Sequence, residues 1–475
     1  MKNINDSELS RIINAAQRGR SDKKSEPKTL AQKPEKSNSD EMTSANYKII
    51  LVTNDWSGLG FALDQRIKEN GDIVIIAYKP EEVISPDDKE SYEIQGQGLV
   101  PTVPLDKIFQ ERGKFSDWYW VFDGNHNVKE NEILREEGFK VFGGGEFTYS
   151  LENDREFGMQ FAESCGFQSP ECYDFSSVED GIKFLEEHEE EMFVYKPNNE
   201  DSAYTTVPMS EDPMMANKEI RELIKALGFS DYILQKYVRG IEVNVESWYI
   251  AGRPVFTFAN LEDKRLHNGD MGSPAGCAFD LGWQIKNDCG LAQMTVRKFD
   301  AKMKEINYTG FMDCNCIIAD YNEVWFLEFC GRFGYNSHPN LSLNLLERPI
   351  LEVVCDMVEG RFDTRVKIGF GASVNVNNDH YKMGLPITVP ELIGNKFHLF
   401  DGYLEDDQLL MGGFGKEIGI VCDYSYTPKD ALVGAMNNAS RVIFSNRYYR
   451  TDCDSMEIRN SVPQRFRALQ AMDIL

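Results

Sequence analysis

The stretch GFMDCNCIIADYNEVWFLEFCGRFG, residues 310–334, carries the strongest fold signal in this sequence. It consists of two apolar runs joined by the short polar segment Asp320-Tyr321-Asn322. Polar segments of this length commonly join adjacent antiparallel strands. The stretch therefore predicts a β-hairpin in which residues of the two strands face one another.

Two polar side chains interrupt these apolar runs and would meet across the hairpin. Glu328 lies between Leu327 and Phe329 on the second strand, and Asn315 lies on the first. Mg²⁺ prefers oxygen ligands and usually shares them with nucleotide phosphates, so the pair is a candidate site for Mg²⁺ or Mn²⁺. A single glutamate on a strand is also common at a sheet edge or on a surface. The pair alone leaves both interpretations open.

Several cations occur near the ends of predicted strands. Lys196 closes the apolar strand 192–197, where a positive charge is expected only against an anion or solvent. Arg332 follows the hairpin, and Arg155 and Lys264-Arg265 are further candidates. Cations around a metal-binding carboxylate suit phosphoryl transfer, which depends on positioning and charge neutralisation. Each of them taken alone is equally consistent with a solvated surface charge.

The region before residue 148 alternates short apolar runs with helical segments. The runs predicted as strands are 48–53, 72–78, 118–124 and 139–145. This alternation is typical of a parallel, doubly wound sheet, in which ligands bind beyond the carboxyl ends of the strands. The segments expected there are 54–60, 123–127 and 143–145.

The first of these segments contains Ser57-Gly58-Leu59-Gly60, which resembles part of a dinucleotide fingerprint. The third glycine is absent, and the second strand ends in Tyr78-Lys79 without a ribose-binding acid. Both features argue against NAD(P) binding. A turn that lets a substrate approach a helix N-terminus and a purely structural turn both remain open.

Composition excludes several classes of protein. The 475 residues include 51 Lys+Arg and 77 Asp+Glu, a net charge of −26, which disfavours a nucleic-acid binder. No apolar run approaches the ~18–20 residues of a membrane span, and the N-terminus lacks the apolar core of a signal peptide. The ten cysteines form no CxxC pair, which indicates reduced thiols in the cytoplasm.

Residues 1–46 differ from the rest of the chain. From about residue 18 onward they are rich in Lys, Ser, Glu and Pro and poor in aliphatic residues, which predicts disorder. Leu9, Ile12, Ile13 and Ala16 have the spacing of one helix face. Such a helix would be either transient or a docking peptide for a protein partner.

A set of motifs along the ordered chain occurs in the order of one enzyme family. They lie at 151–157 (LENDREF), 194–196 (VYK), 235–243 (QKYVRGIEV), 263–276 (DKR to GSPAG) and 327–334 (LEFCGRFG). Together they resemble phosphoribosylamine–glycine ligase, also called glycinamide ribonucleotide synthetase, a member of the ATP-grasp superfamily. The resemblance runs from Tyr47 to about Glu457.

The resemblance implies an α/β and α+β multidomain fold. We expect a Rossmann-like pre-ATP-grasp domain over 47–147, an ATP-grasp nucleotide-binding domain over 148–370 and a small C-terminal α+β domain over 371–475. It also implies roles for single residues. Those implied to bind ATP are Arg155, Lys196, Gln235, Val238 and Glu242. Those implied to hold Mg²⁺ are Glu328 and Asn315, and those implied in catalysis are Lys264, Arg265 and Arg332.

The chain departs from the family pattern at several sites. The phosphate loop, 197–206, has neither the glycines nor the lysine of the family. Cys330 occupies the position of a metal-binding asparagine, for which Asn315 or Asp313 could substitute. The loops that help to hold phosphoribosylamine in the family read Asp55-Trp56-Ser57-Gly58 and Asp123-Gly124-Asn125 here.

The function expected from the resemblance is an ATP-dependent carboxylate–amine ligase that works through an acyl phosphate in purine biosynthesis. Glycine is the implied acid and 5-phospho-β-D-ribosylamine the implied amine. Because Lys264, Arg265 and Arg332 would surround the acyl phosphate and ribose phosphate, we expect an amine that carries a phosphate or another anion. The alternatives are a ligase for a different amino acid or amine, and a catalytically degenerate ATP-grasp fold that serves as a binding or structural module.

Overall fold

The computed structural model describes residues 46–80, 86–197, 205–320 and 323–475. The predicted tail therefore lies outside the described residues except for Asn46, and its disorder and its protein partner stay predictions. Most of the phosphate loop, 198–204, and the hairpin residues 321–322 also lie outside them.

The N-terminal region folds around a parallel sheet, as its alternating pattern predicts. Its strands run in the order β3-β2-β1-β4-β5, and the bounds are β1 Lys48–Thr53, β2 Ile73–Tyr78, β3 Thr102–Pro104, β4 Tyr119–Phe122 and β5 Lys140–Phe142. Successive side chains of β1 enter different cores, Ile49 and Leu51 on one face and Ile50 and Val52 on the other. Apolar burial on both faces explains why this strand is a continuous hydrophobic run.

Helices cover both faces of this sheet and lead into the next region. They are α1 Leu59–Ala62, α2 Gln65–Asn70, α3 Pro86–Glu93, α4 Leu105–Gln110, α5 Val128–Glu136, α6 Glu146–Asn153 and α7 Arg155–Ser164, with a 3₁₀ turn at Arg112–Phe115. The sequence patterns of 61–70 and 150–166 each favour one helix, but in the structure each of these segments is divided in two. Asp64 and Asp154 interrupt them because each carboxylate caps the following helix, accepting from Arg66 N and Phe157 N.

A small lobe follows, built on an antiparallel sheet in the order β6-β8-β7. Its elements are β6 Cys172–Phe175, α8 Val178–Glu187, β7 Phe193–Pro197, α9 Pro213–Leu227 and β8 Tyr232–Lys236. Tyr195, Tyr232 and Leu234 are buried in the core of this lobe. Because side chains alternate along a strand, Lys196 and Gln235 lie on the opposite face.

A long antiparallel sheet forms the rest of the body. Its strands run in the order β13-β12-β9-β10-β11-β14-β18-β15, and β19 pairs with β14. The bounds are β9 Ile241–Ile250, β10 Arg253–His267, β11 Met271–Gln284, β12 Gly310–Asp320, β13 Glu323–Cys330, β14 Phe370–Asn378, β15 Phe397–Leu399, β18 Glu417–Ser425 and β19 Arg447–Tyr448. The predicted hairpin is confirmed as β12 and β13, with Asn315 directly opposite Glu328.

This sheet continues past the predicted domain boundary at residue 370. Strand β14 hydrogen-bonds to β11 on one side and to β18 on the other, so the last hundred residues extend the sheet of the preceding region. The domain limits therefore stay a prediction, whereas the sheet itself is continuous.

The remaining elements are short and cover this sheet. They are α10 Gly290–Met294, α11 Asp300–Glu305, α12 Ser337–Asn340, α13 Ile350–Val358, α14 Pro428–Ala439, α15 Val462–Ala471, the hairpin of β16 Tyr403–Glu405 and β17 Gln408–Leu410, 3₁₀ turns at Val296–Phe299 and Glu391–Lys396, and a π turn at Leu341–Leu345. All ten cysteines are free thiols, in agreement with the expectation of a reduced protein. Within the described ranges, no helix combines the length and hydrophobicity needed to cross a membrane.

Candidate active site

Four predicted site residues meet on one face of the long sheet. The Asn315 amide lies 3.3 Å from Glu328 Oε1 and 3.5 Å from Glu242 Oε1. Lys264 Nζ lies 3.9 Å from Glu328 Oε1 and 4.0 Å from Glu242 Oε1. These residues come from β13, β12, β9 and β10, so strand pairing alone brings together positions far apart in sequence. Lys264 thus lies between the carboxylates of Glu242 and Glu328, and the Asn315 amide lies close to both of them.

The charges of this cluster stabilise one another. Protein surrounding Glu328 acts to raise its pKa, but Lys264, the Asn315 amide and Lys196 outweigh this and hold the pKa below its ordinary value. The same carboxylates raise the pKa of Lys264 above its ordinary value, although burial opposes them. The Glu328 side chain is 64% exposed, so an ionised carboxylate is available to a ligand. The cluster therefore presents charged groups at an open surface.

The oxygen donors of this cluster fit Mg²⁺ when a nucleotide shares the ion. No group of three or more His, Cys, Asp or Glu side chains within the described residues is arranged to hold a metal by itself. Mg²⁺ commonly keeps waters and binds through one or two carboxylates plus phosphates. Glu328 and the Asn315 amide oxygen match that donor set, and Glu242 lies close enough to add a further oxygen.

The other residues considered as metal ligands fit less well. Asp313 lies in the sheet, where its carboxylate accepts from Asn244 Nδ2 at 2.7 Å. Burial and the neighbouring Glu246 raise the pKa of Asp313 well above its ordinary value, which favours the neutral acid. Burial likewise raises the pKa of the Cys330 thiol, and a neutral thiol is a poor Mg²⁺ ligand. Asn315 is therefore the better substitute for the missing asparagine.

The small lobe contributes cations on the other side of this cluster. Burial lowers the pKa of Lys196, while the charges of Glu328 and Glu242 raise it and that of Arg155 lowers it further. Lys196 is thus within electrostatic reach of both carboxylates. Gln235 lies on the same face of the small sheet and donates to Cys172 Sγ at 3.3 Å.

Val238 lies in the connection 237–240 between β8 and β9, the segment that links the small lobe to the long sheet. Arg155 is the first residue of α7 and is exposed. The structure thus places the expected nucleotide-binding residues around the junction of the two lobes, and their roles stay predictions.

Arg265 differs from its neighbour Lys264 in its contacts. Its guanidinium donates to Gly272 O at 2.9 Å and lies 4.0 Å from Asp270 Oδ2, both in the β10–β11 hairpin. These contacts hold the end of the hairpin. The adjacent lysine, in contrast, faces the carboxylates of the cluster.

Arg332 lies at the edge of a separate cavity of about 220 Å³. The cavity opens at the carboxyl ends of β1 and β4, where the parallel sheet predicts a ligand. Its lining consists of Asn54, Asp55, Ser57, Asp123, Gly124, Asn125, His126, Glu152, Asn153, Arg332, Phe333 and Tyr335. Arg332 also acts to lower the pKa of Glu328, so the cavity borders the cluster described above.

Carboxylates dominate this cavity, which corrects the expectation of a locally basic amine pocket. Asp55, Asp123 and Glu152 line it, and Arg332 Nε donates to Glu152 Oε1 at 3.0 Å. Tyr335 donates its hydroxyl proton to Asp55. Arg332, one of the three cations on which the expectation rested, is thus neutralised by a partner within the cavity wall.

Several residues of this region have no counterpart in the sequence-based predictions. Glu152 is separated from Arg332 by 180 positions in the sequence, so no local spacing indicates their contact. Glu246 accepts from Trp248 Nε1 at 2.5 Å and lies 3.4 Å from His338 Nε2, both buried. The alternation of Glu242, Asn244 and Glu246 within an apolar strand is a period-two signal that could have indicated a polar sheet face.

Comparisons with known proteins agree with this architecture. No protein-family model matches the chain. The phosphoribosylamine–glycine ligase of Leptospira interrogans serogroup Icterohaemorrhagiae serovar Lai is 23% identical over 331 residues, 66% of this chain and 76% of that protein. The phosphoribosylamine–glycine ligase structure from Thermotoga maritima has a TM-score of 0.61 at 17% identity, covering 85% of this chain and 99% of that one.

A second solved structure shows that the fold of this chain is also similar to that of a different enzyme. The biotin carboxylase domain of Hydrogenobacter thermophilus 2-oxoglutarate carboxylase, solved with MgADP and bicarbonate, has a TM-score of 0.56 at 12% identity and covers 85% of this chain and 92% of that one. The predicted resemblance to phosphoribosylamine–glycine ligases is confirmed by the sequence matches. The chain is a divergent relative of these ligases and shares the ATP-grasp fold of its structural neighbours.

Proposed function

We propose that this protein is an ATP-dependent carboxylate–amine ligase that activates its acid as an acyl phosphate. The observation that carries the proposal is the cluster of Glu328, Asn315, Glu242 and Lys264, which faces Lys196 and borders a substrate-sized cavity. Ionised carboxylates beside paired lysines are suited to a magnesium nucleotide. The adjoining cavity supplies a place for an amine close to the activated acid.

The chain's own residues divide the work by position. Lys196 lies on the small lobe and would neutralise nucleotide phosphates from that side. Lys264 lies on the long sheet, where two carboxylates keep it charged, and would oppose the negative charge that develops on the transferred phosphoryl group. Bound Mg²⁺ would supply Lewis-acid charge neutralisation, held by Glu328 and Asn315.

The second half of the reaction requires an amine to reach the acyl carbon. The neutral nitrogen attacks this carbon, a C–N bond forms, the C–O bond to phosphate breaks, and the nitrogen gives up one proton, for which the departing phosphate is an acceptor. Arg332 borders both the cavity and the cluster, so it would orient the two reactants while Glu152 fixes its guanidinium. Holding both reactants in place makes the attack effectively unimolecular.

The relatives' names give the first substrates to test. They are phosphoribosylamine–glycine ligases, so glycine and phosphoribosylamine, a step of purine biosynthesis, form the initial pair. The free thiols agree with a protein that works in the reducing cytoplasm.

ADP release tests this proposal directly. The protein with MgATP and glycine is assayed with and without phosphoribosylamine and a panel of other amines. Release that requires both acid and amine, together with a higher melting temperature in MgATP, is the expected result. ADP release that never depends on an amine would overturn the ligase assignment.

A nucleotide-binding module without turnover is the second candidate, and Cys330 favours it. A neutral thiol at the metal-binding position would weaken magnesium binding where catalysis needs it most. This candidate predicts that MgATP raises the melting temperature while no acid and amine release ADP. Restoring the expected ligand with Cys330→Asn would then be expected to increase MgATP affinity.

A further inference from the structure

The turn that follows β1 is occupied by one of the protein's own carboxylates. The Asp123 carboxylate is 2% exposed and accepts from the Ser57 hydroxyl, at 3.3 Å, and from the Gly58 backbone N–H. The next donor, Ser57 N, is bound to Asp55 Oδ1 at 3.0 Å. These are the N–H and O–H groups with which a glycine-containing turn would bind a phosphate. The carboxyl group of Asp123 uses them instead.

The close approach of this carboxylate depends on Gly58. A Cβ atom at residue 58 would lie 2.6 Å from Asp123 Oδ2, a distance that only glycine avoids. The preceding Trp56 adopts the left-handed conformation, φ 64°, and is fully buried with its ring 5.3 Å from that of Tyr78. The turn is thus packed firmly in the conformation that binds Asp123, and it is not free to receive a second anion.

The charges around the cavity also disfavour the binding of a phosphate. Of the residues that line it within the described chain, Arg332 is the one Lys or Arg, and Glu152 pairs with it at 3.0 Å. Among the described residues that line the cavity, Asp55 and Asp123 have no such cationic partner, and burial together with the charge of Asp55 raises the pKa of the nearby Glu417 to about 7. A phosphate here would meet carboxylates, whereas an ammonium or guanidinium would meet its natural partners.

We propose that this cavity binds an amine that carries a second, positively charged group in place of a phosphate, with that group held by Asp55 and Asp123. The inference rests on the proposed ligase function and assigns its amine substrate to a class. One nitrogen, deprotonated, would attack the acyl phosphate near Arg332, and the other would stay protonated between the two aspartates. A compound of the size of a small diamine suits a volume of about 220 Å³.

The proton held by Asp123 supports this assignment. Burial and the charge of Asp55 raise the pKa of Asp123 to about 8, so Asp123 keeps its proton near neutral pH. A bound ammonium would replace that proton as the compensating charge. A phosphate would add to the repulsion that the proton relieves.

Calorimetry on the full-length protein with a non-hydrolysable MgATP analogue tests the inference. The probes are 1,3-diaminopropane, 3-amino-1-propanol and ribose 5-phosphate. The aminoalcohol matches the diamine in length but replaces one ammonium with a hydroxyl. We expect the diamine to bind at least about tenfold more tightly than the aminoalcohol, the order of one charge-assisted contact, and ribose 5-phosphate to bind more weakly than either.

Single-residue variants test whether Asp55 contacts the second positively charged group of the amine. Asp55→Asn keeps the shape of the side chain and removes its charge, so the preference for the diamine should fall about tenfold. Asp106→Asn removes an exposed carboxylate on α4, outside the cavity, and should leave the preference unchanged. Tighter binding of ribose 5-phosphate, or an Asp55→Asn protein that retains the preference, would overturn the inference.

The outcome is separable from that of the proposed function. Binding is measured without turnover, so it succeeds or fails whether or not ADP is released. If ADP release depends on phosphoribosylamine and is not supported by the diamine, the ligase stands and the inference fails. If no amine supports ADP release while the diamine preference is present, the cation site stands and the ligase fails.

Discussion

The two halves of the candidate active site carry opposite patterns of charge. On the long sheet, Lys264 lies about 4 Å from the carboxylates of Glu242 and Glu328, and Lys196 faces them from the small lobe. In the cavity at the end of β1 and β4, Asp55 and Asp123 both lie on the wall, and none of the described lining residues is a lysine or arginine paired with them. The first half matches anionic phosphates together with a metal, and the second half matches a cation.

Under the proposed function, this difference places the divergence in the part of the site that would hold the amine. The resemblance to phosphoribosylamine–glycine ligases rests on motifs whose residues would bind the nucleotide, and four of those residues lie together on the long sheet. The two loops that depart from the family pattern build the cavity instead. A ligase can exchange its amine without altering how it activates the acid, because the two reactants are held by different elements.

Loss of the metal-binding carboxylate should have the largest effect on the nucleotide half. Glu328→Gln removes the charge that Lys264, Asn315 and Lys196 surround, and we expect ADP release to fall by about 10²–10³-fold, as for other single electrostatic groups at a reacting centre. Steady-state kinetics measure this. Glu323→Gln, on the same strand, is the control and should change the rate little. A Glu328→Gln protein with an undiminished rate would remove this residue from the reaction.

Lys264 and Arg265 are adjacent basic residues on β10, and we expect their substitution to affect kcat/KM differently. Lys264 contacts the two carboxylates of the site, whereas Arg265 contacts Gly272 and Asp270 of its own hairpin. Lys264→Ala should lower kcat/KM about 10–100-fold, a loss of ~1.4–2.7 kcal/mol. Arg265→Ala should lower it less and lower the melting temperature instead. Equal losses of kcat/KM would show that the sequence-based pairing of the two residues was correct.

The sequence predicts much of this fold because local patterns determine it. The apolar run of β1, the hairpin of β12 and β13, and the opposition of Asn315 and Glu328 follow from short-range patterns and from strand geometry. The interruptions of the helices at Asp64 and Asp154 could not be predicted from these patterns. Asp64 and Asp154 are compatible with a helix in sequence but form caps in the structure, because a side-chain carboxylate can replace a helical hydrogen bond.

The candidate site was predictable where the order of the motifs assigns both members a role, and not where a residue without an assigned role supplies the partner. Lys264 and Glu328 come from separate motifs whose order indicated a shared site. The contact of Arg332 with Glu152 joins the end of a strand to a helix far earlier in the chain, and it reverses the expected charge of the cavity. The sequence analysis treated Arg332 as a free cation because Glu152, which neutralises it, lies far away in the sequence.

Substitution of Lys196 in the small lobe should have a moderate effect, and this effect should be on MgATP binding alone. Lys196 lies within reach of Glu328 on the face of the small sheet opposite its apolar core. Lys196→Met should weaken MgATP binding by about 5–30-fold, or ~1–2 kcal/mol for a lost charge-assisted contact. Isothermal calorimetry measures this, with the exposed Lys183→Met of the same lobe as control. Equal affinities in the two variants would place the nucleotide elsewhere.

The last expected effect is a pH dependence of stability that belongs to the cavity half. Burial and the charge of Asp55 raise the pKa of Asp123 to about 8, whereas an aspartate in the unfolded chain titrates near 4. Between these values the folded protein holds a proton that the unfolded chain has lost. The stabilisation is therefore complete below about pH 4 and declines as the pH rises towards 8.

Asp123→Asn isolates this contribution, because the amide keeps an oxygen acceptor for Ser57 and Gly58 but does not titrate. Other buried acids with raised pKa values, Asp280 among them, give the wild-type protein a slope of the same sign, so the comparison of the two proteins is what matters. Urea unfolding between pH 5.5 and 8 should show the free energy of unfolding of the wild type falling more steeply than that of the variant. Parallel slopes would mean that Asp123 is already ionised at neutral pH, and that the cavity carries its full negative charge before any amine binds.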